Sequence, residues 1–281
     1  MHFCLDDSPH FKLIELGDTD STNTFLTNYQ IRQPVDMIVV TAEYQSAGRG
    51  QTGNTWESAR GRNLLFSIQI SPTSLPASHL FVLSEAIALS LRDAVDECLS
   101  AEIPSAPTTK VQHDVKIKWP NDIYVDDNKV AGILIENELQ GQNIKRAIIG
   151  VGLNINQPRF ESDAPNPVSL FQLTGKTFER SLILSSIMGH FNHYYTQIED
   201  GTYDSLHSAY RQALYRGATG TFWPFQDKTG MFTARIADVK PDGHLILEDQ
   251  TGRQRCYAFK EVAFILQTPT HPAPPISGRP G

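Results

Sequence analysis

The chain has 281 residues, 40% of them hydrophobic, which suffices for the core of one large domain or of a large and a small one. Its net charge of -7 argues against a general grip on nucleic acid; it has no run of about 18 apolar residues for a membrane helix, and its first residues, MHFCLDDSPHF, lack the basic-then-apolar order of a secretory signal. The three cysteines, Cys4, Cys98 and Cys256, are odd in number and far apart, so they form no disulfide framework or CxxC metal site and suit a reducing cytoplasm.

In chain order, the first strand-like run is MIVVTAEY, residues 37–44. NLLFSIQI, residues 63–70, alternates with period two and reads as a half-buried strand with its Asn, Ser and Gln turned outward. Between them QSAGRGQTGNTWESARGR is a long irregular connector with glycines at 48, 50, 53 and 61, the kind of segment that tends to be functional or disordered. From 78 to 102 the pattern is helical: Leu80, Leu83, Ile87, Leu91 and Val95 recur at steps of three and four. A polar, proline-containing loop follows at 103–114, then three strand-like runs at 115–119, 122–125 and 129–139. The last two are joined by the turn residues Asp126, Asp127 and Asn128. RAIIGVGLNIN, residues 146–156, is a further strand, and NQPRFESDAPNP is loop. Leu182, Ile183, Ile187, Phe191, Tyr194 and Ile198 trace a second long helix, and 203–214 a shorter one. Beyond Tyr215, four short strand-like runs punctuated by turns predict a small β-barrel of about 50 residues. The Pro- and Gly-rich end, TPTHPAPPISGRPG, reads as a disordered tail. The expected division is an α+β domain over 1–213, a β domain over 214–268 and a tail over 269–281.

Four stretches carry candidate chemistry. In Gly48-Arg49-Gly50-Gln51-Thr52-Gly53 the glycines let backbone N–H groups turn toward an anion, and Arg49 adds a forked cation; a flexible surface loop has the same composition. In KWPND, Pro120 removes a backbone donor and halts the strand, while Asn121 and Asp122 are oxygen ligands that suit Mg²⁺ beside phosphates. Lys118 and Lys129 flank them, and Gly132 leaves room for a ligand; a hairpin with a proline-marked bulge is the plainer alternative. Ser21-Thr22-Asn23 reads as a helix start whose N–H and hydroxyl groups can also meet a small polar ligand. In GVGLNIN, residues 150–156, small residues permit close approach of a planar group, or simply end a buried strand.

Taken in this order, STN at 21–23, EYQSAGRGxxGxxW at 43–56, KWPNDIY at 118–124, KVAGILIE at 129–136 and GVGLNIN at 150–156 resemble the biotin protein ligase family, over nearly the whole span from 13 to 266. The resemblance implies a class II synthetase-like mixed sheet with helices, followed by a small SH3-like β-barrel. It also implies an ATP-dependent ligase that makes biotinyl-5'-AMP and passes biotin to a lysine of a biotin carboxyl carrier protein domain. By the same resemblance, Ser21, Thr22, Asn23 and Gln45 bind the polar head of biotin, with Gly48, Arg49, Gly50, Gln51, Lys129 and Gly132 completing its site. Arg49, Gln51, Trp56, Lys118, Asn121, Lys129 and Asn154 hold ATP or the adenylate: Trp56 beside the adenine, Asn154 bonding it, Lys118 on the phosphates. Asn121 and Asp122 organise Mg²⁺, and Lys129, Arg49 and Asp122 are the catalytic set. Such a protein is expected in the cytoplasm, off membranes, alone or as a homodimer.

Two departures bear on this. Family loops often carry a second arginine where this chain has Gln51, so retention of the adenylate is expected to rest more heavily on Arg49 and Lys129. Repressor members place a DNA-binding domain before the STN motif; 20 residues precede Ser21 here, so no DNA binding is expected. The rivals are a lipoate ligase or octanoyl transferase, which share the fold, and a non-catalytic biotin or nucleotide sensor.

Overall fold

The computed structural model describes residues 11–31, 35–51, 53–72, 75–101, 113–162, 165–217 and 220–266. The 269–281 tail and most of the 103–114 loop lie outside them. In chain order the large sheet uses β1 (Phe11–Thr19), β2 (Met37–Gln45), β3 (Leu64–Ile70), β4 (Val115–Lys118), β5 (Asp122–Val125), β6 (Asn128–Gln140) and β7 (Asn143–Leu153). Its spatial order is β1-β2-β3-β7-β6-β5-β4, with β1 parallel to β2 and every other pair antiparallel.

The helices are α1 (Thr22–Asn28), α2 (Phe81–Ser100), α3 (Leu170–Thr174), α4 (Arg180–Glu199) and α5 (Tyr203–Gln212). The two faces of the sheet are covered unequally. On one, alternate residues such as Phe66, Ile68, Ile149 and Val151 join the main core with the apolar stripes of α2 and α4. On the other, only the short α1 lies down, its Leu26 packing on Ile38, Val40 and Ile148. Ser21 caps α1 by accepting from the Thr24 N–H. The rest of this second face is left for something other than a helix.

Several expectations need correction. FKLIELGDT forms β1, which polar Lys12, Glu15 and Asp18 disguise as non-strand. β3 is buried along its whole length, so Ser67 and Gln69 face the α1 side rather than water. The short α3, closed by a Ser169–Gln172 capping box and a left-handed Gly175, falls just after the loop segment. The 48–56 connector is a tight hairpin, with Arg49 bridged to Thr55 and the Gly50 N–H donating to the Asn54 carbonyl at 2.9 Å.

The C-terminal strands β8 (Trp223–Asp227), β9 (Gly230–Val239), β10 (Leu245–Asp249), β11 (Gln254–Tyr257) and β12 (Val262–Phe264) pair antiparallel in the order β11-β10-β9-β8-β12. β11 and β12 do not pair, so the expected barrel is an open five-stranded sheet. It docks on the large sheet where Trp119 Nε1 donates to the Gly243 carbonyl at 2.9 Å and Arg211 pairs with Asp238 at 2.9 Å. Gly243 has φ +89° and sits against Phe81, where a Cβ would come within 2.6 Å of the ring, so glycine is required on both counts. Among the described residues no helix is long and apolar enough to cross a membrane.

Candidate active site

The uncovered half of the α1 face is a cleft of about 140 Å³. Its floor follows from sheet register, because residues directly opposite on neighbouring strands share a face. One row runs Lys118, Asp122, Gly132, Gly152 across β4, β5, β6 and β7. The adjacent row places Gly150 opposite Ser67 and Leu134. Three glycines therefore replace the side chains that would otherwise fill the space. A Cβ on Gly132 or Gly152 would come within 2.9 or 2.3 Å of the Trp56 indole, which lies directly on this floor. A Cβ on Gly150 would come within 2.3 Å of Asn23 Oδ1.

One end of the cleft is polar, neutral and buried. Thr22 N–H and its hydroxyl both donate to Gln45 Oε1, at 2.7 and 3.0 Å. Ser67 Oγ lies 2.6 Å from both Thr22 Oγ1 and Asn23 Oδ1. Ser21, Thr22, Asn23 and Ser67 are at most 5% exposed, and the hydroxyls bond one another without an ionic partner. The Asn23 amide donates to Glu136 Oε2 at 2.7 Å, and the same oxygen pairs with Arg49 at 3.2 Å. The loop arginine is thereby tied to the sheet by a carboxylate.

The other end is ionic. Lys129 Nζ sits 2.7 Å from Asp122 Oδ1 and 5.7 Å from the Trp56 ring centre. Lys129 is set there by its own backbone, whose N–H donates to Asn166 O at 2.8 Å and whose carbonyl accepts from Val168. Pro120 follows a cis Trp119–Pro120 bond and ends β4. Asn121 braces the turn: its side-chain amide donates to the Ile133 carbonyl at 2.6 Å and its backbone carbonyl accepts from the Ile133 N–H.

Of the residues expected from sequence, Ser21, Thr22, Asn23, Gln45, Arg49, Gly50, Gln51, Trp56, Asn121, Asp122, Lys129 and Gly132 line this one cleft. Gly48, Lys118 and Asn154 are not on its wall. Gly48 packs under the loop, where a Cβ would lie 2.9 Å from the Trp56 carbonyl. Lys118 points past Asp122 to the sheet junction, 5.1 Å from the Tyr124 ring centre and 5.3 Å from that of Phe264, and burial lowers its pKa. Asn154 is buried behind the floor, its amide donating to Val168 O at 3.1 Å while its Oδ1 finds no donor among the described residues. Sequence reasoning missed Ser67 and Glu136. The available signals were a hydroxyl inside an otherwise apolar buried strand and a charge ending the apolar run ILI.

The site is thus a cleft on a mixed α+β frame that grades from buried neutral polar groups over glycines to a cation–carboxylate pair. Residues 17–154 match the model of the biotin/lipoate A/B protein ligase family. A biotin–[acetyl-CoA-carboxylase] ligase of Paracoccus denitrificans is 28% identical over 251 residues, covering 85% of this chain and 95% of its own. A bifunctional ligase/repressor BirA of Bacillus spizizenii is 28% identical over 225 residues, 78% of this chain and 64% of the relative. Across the four ligase/repressor relatives the chain spans between 41% and 70% of their length. Among solved structures, biotin protein ligase from Aquifex aeolicus in complex with biotin and ATP has a TM-score of 0.70 at 22% identity, covering 91% of this chain and 99% of that one, a likeness of fold.

Proposed function

We propose that the chain is an ATP-dependent ligase that activates biotin as biotinyl-5'-AMP and transfers it to a lysine of a biotin carboxyl carrier domain. The observation that carries this reading is the polarity gradient along the cleft. Biotin has a neutral ureido head, an apolar ring and chain, and a terminal carboxylate. The head is matched by Ser21, Thr22, Asn23 and Gln45, which Ser67 braces from behind, the ring by the glycine floor, and the carboxylate by Lys129. Because the indole rests directly on the glycines, a ligand lying there lifts Trp56. The Paracoccus denitrificans relative is named for biotin and acetyl-CoA carboxylase, and the Aquifex aeolicus protein of the same fold is in complex with biotin and ATP, which agrees with this reading.

The chemistry follows from charge. A carboxylate oxygen of biotin must attack the α-phosphorus of ATP, forming a P–O bond as the bond to the β-phosphate breaks and pyrophosphate leaves. Both reactants are anions, so Lys129 and Arg49 offset their repulsion and the charge that develops in the transition state. In the ligand-free protein these two cations are held by Asp122 and Glu136. Binding then exchanges a protein carboxylate for a substrate anion, and Asp122 is freed. Asp122 and the side-chain Oδ1 of Asn121 are the groups that would hold Mg²⁺. Among the described residues there is no cluster of three or more His, Cys, Asp or Glu, so the donor set suits an ion that keeps water and phosphate ligands and arrives with the nucleotide. Mg²⁺ bound there neutralises phosphate charge and polarises the α-phosphoryl group.

In the second step a neutral lysine amine of the carrier attacks the acyl carbon, the acyl–phosphate bond breaks, and AMP leaves with loss of one proton. The 48–56 hairpin, carrying Arg49 and Trp56, is the cover that keeps water from the mixed anhydride. With its net charge of -7 the chain is read as a modifier of proteins, not a DNA binder. The test is product analysis after incubation with ATP, Mg²⁺ and either biotin or lipoate. Biotinyl-AMP with biotin and no adenylate with lipoate is expected; adenylate from lipoate alone would overturn the reading.

A further inference from the structure

The neutral end of the cleft holds fewer protons than its oxygens call for, and a residue off the cleft wall keeps it so. Leu134 and Glu136 lie two apart on β6 and share the face that carries Gly150. Asn23 rests against Gly150, its Oδ1 2.6 Å from Ser67 Oγ and its Nδ2 2.7 Å from Glu136 Oε2. Gln45 Oε1, Thr22 Oγ1, Ser67 Oγ and Asn23 Oδ1 then follow one another at spacings of 3.0, 2.6 and 2.6 Å. The two end oxygens are amide carbonyls, which only accept, and each hydroxyl between them has a single proton. Three contacts thus share two protons. Wherever these sit, one oxygen pair is left without a proton. Thr22, Asn23 and Ser67 are at most 3% exposed, so the deficit is buried, where an unmatched acceptor is destabilising.

Both ends of this row are pinned. The Thr22 N–H, 2.7 Å from Gln45 Oε1, holds that end as an oxygen. At the other end, turning the Asn23 amide over would present Nδ2 to Ser67. Every contact would then carry a proton, from Asn23 to Ser67, Ser67 to Thr22 and Thr22 to Gln45. Glu136 prevents the turn, because a carboxylate only accepts and so takes the NH₂ of Asn23 and rejects its oxygen. The Leu134 carbonyl on the same side is 3.4 Å from Nδ2, too long to hold the amide by itself. The same Glu136 oxygen receives Arg49 at 3.2 Å.

We propose that Glu136 is a positioning residue for the substrate: it fixes the Asn23 amide so that the head pocket stays one proton short and selects ligands whose head donates an N–H. This rests on the biotin reading above and deepens it. A ureido N–H brings the missing proton, whereas the dithiolane of lipoate has none to give.

The test is titration with biotin and with ATP, alongside thermal melts, of the wild-type chain, Glu136→Gln, and the exchange Asn23→Asp with Glu136→Gln. Glu136→Gln keeps the size, and its amide can face either end of Asn23, so Asn23 is free to turn and complete the row. Biotin affinity should fall about tenfold, the worth of one hydrogen bond. ATP affinity should not weaken, and the melting temperature should stay level or rise. The sign separates this from lost charge, since removing an acid beside Arg49 strengthens the attraction for the biotin carboxylate and for ATP. The exchange moves the carboxylate to position 23, restores an acceptor toward Ser67, and should recover most of the biotin affinity. Undiminished biotin affinity in Glu136→Gln would overturn the proposal. So would a joint fall in biotin affinity, ATP affinity and melting temperature, which marks a structural role only. A loss that the exchange fails to recover, in a chain that melts as the wild type does, also contradicts it. Failure of the biotin reading shows separately, as absence of biotin binding to the wild-type chain.

Discussion

Replacing Gly152 by alanine adds one methyl group at the centre of the cleft. The new carbon would stand 2.3 Å from Trp56 Cε2 and 2.5 Å from Nε1. Apolar contact is comfortable near 3.5–4.0 Å, so the indole must retreat by about 1.5 Å. It can do so cheaply, since Trp56 sits on the 48–56 hairpin and its Nε1 has no bond to lose among the described residues. The melting temperature should therefore change by no more than about 3 °C. The floor itself is raised, and an overpacking cost of about 1–3 kcal/mol falls on any ligand that lies there, a loss of roughly 5- to 150-fold in biotin affinity.

Gly150→Ala is the control with the opposite balance. Its methyl would meet Asn23 Oδ1 at 2.3 Å, and Asn23 cannot retreat, being 3% exposed and bonded to Ser67 and Glu136. Overpacking plus broken hydrogen bonds at about 1 kcal/mol each should lower the melting temperature by on the order of 5–10 °C. Isothermal titration with biotin, thermal melts and Trp fluorescence measure all of this. Wild-type biotin affinity in Gly152→Ala would refute the glycine floor as the ligand's bed.

Lys129→Met keeps the stem against Gly132 and Trp56 but removes the charge; the rate of adenylate formation should fall about 10²- to 10³-fold in single-turnover kinetics. Gln51→Arg should slow dissociation of the adenylate, measured by release of labelled intermediate, and an unchanged rate would show that Gln51 is no weak point of the cover. His207 Nδ1–H donates to buried Glu85 Oε1 at 2.6 Å, and that bond raises the imidazole pKa above its ordinary 6.5. A raised folded-state pKa means that this stabilisation is complete below pH 6.5 and is lost as pH rises through the folded value. Urea unfolding at pH 6 and pH 8.5 should therefore show a decline in stability that His207→Gln flattens.

Where a single physical cause fixed an element, the sequence sufficed to find it. The long helices followed from apolar stripes, the 122–140 hairpin from its turn residues, and twelve of the expected site positions meet in one cleft because short motifs bring their own local geometry. What failed depended on partners distant in sequence. β1 is strand only because β2 supplies the pairing, and β3 reads as amphipathic although α1 and the Ser67 network cover its polar face. Lys118 lies beside the cleft at the sheet junction, because its ammonium is drawn over the Tyr124 and Phe264 rings, which are distant in sequence. The open β11-β10-β9-β8-β12 sheet replaced a barrel because strand spacing does not state whether the last strand meets the first.

The central claim is that one cleft activates biotin and hands it to a lysine. Its most direct test is intact-mass analysis of a biotin carboxyl carrier domain after incubation with the chain, ATP, Mg²⁺ and equal biotin, lipoate and octanoate. A single biotin adduct on one lysine is expected, absent with Lys129→Met. An unmodified carrier, or one bearing lipoate or octanoate instead, would contradict it.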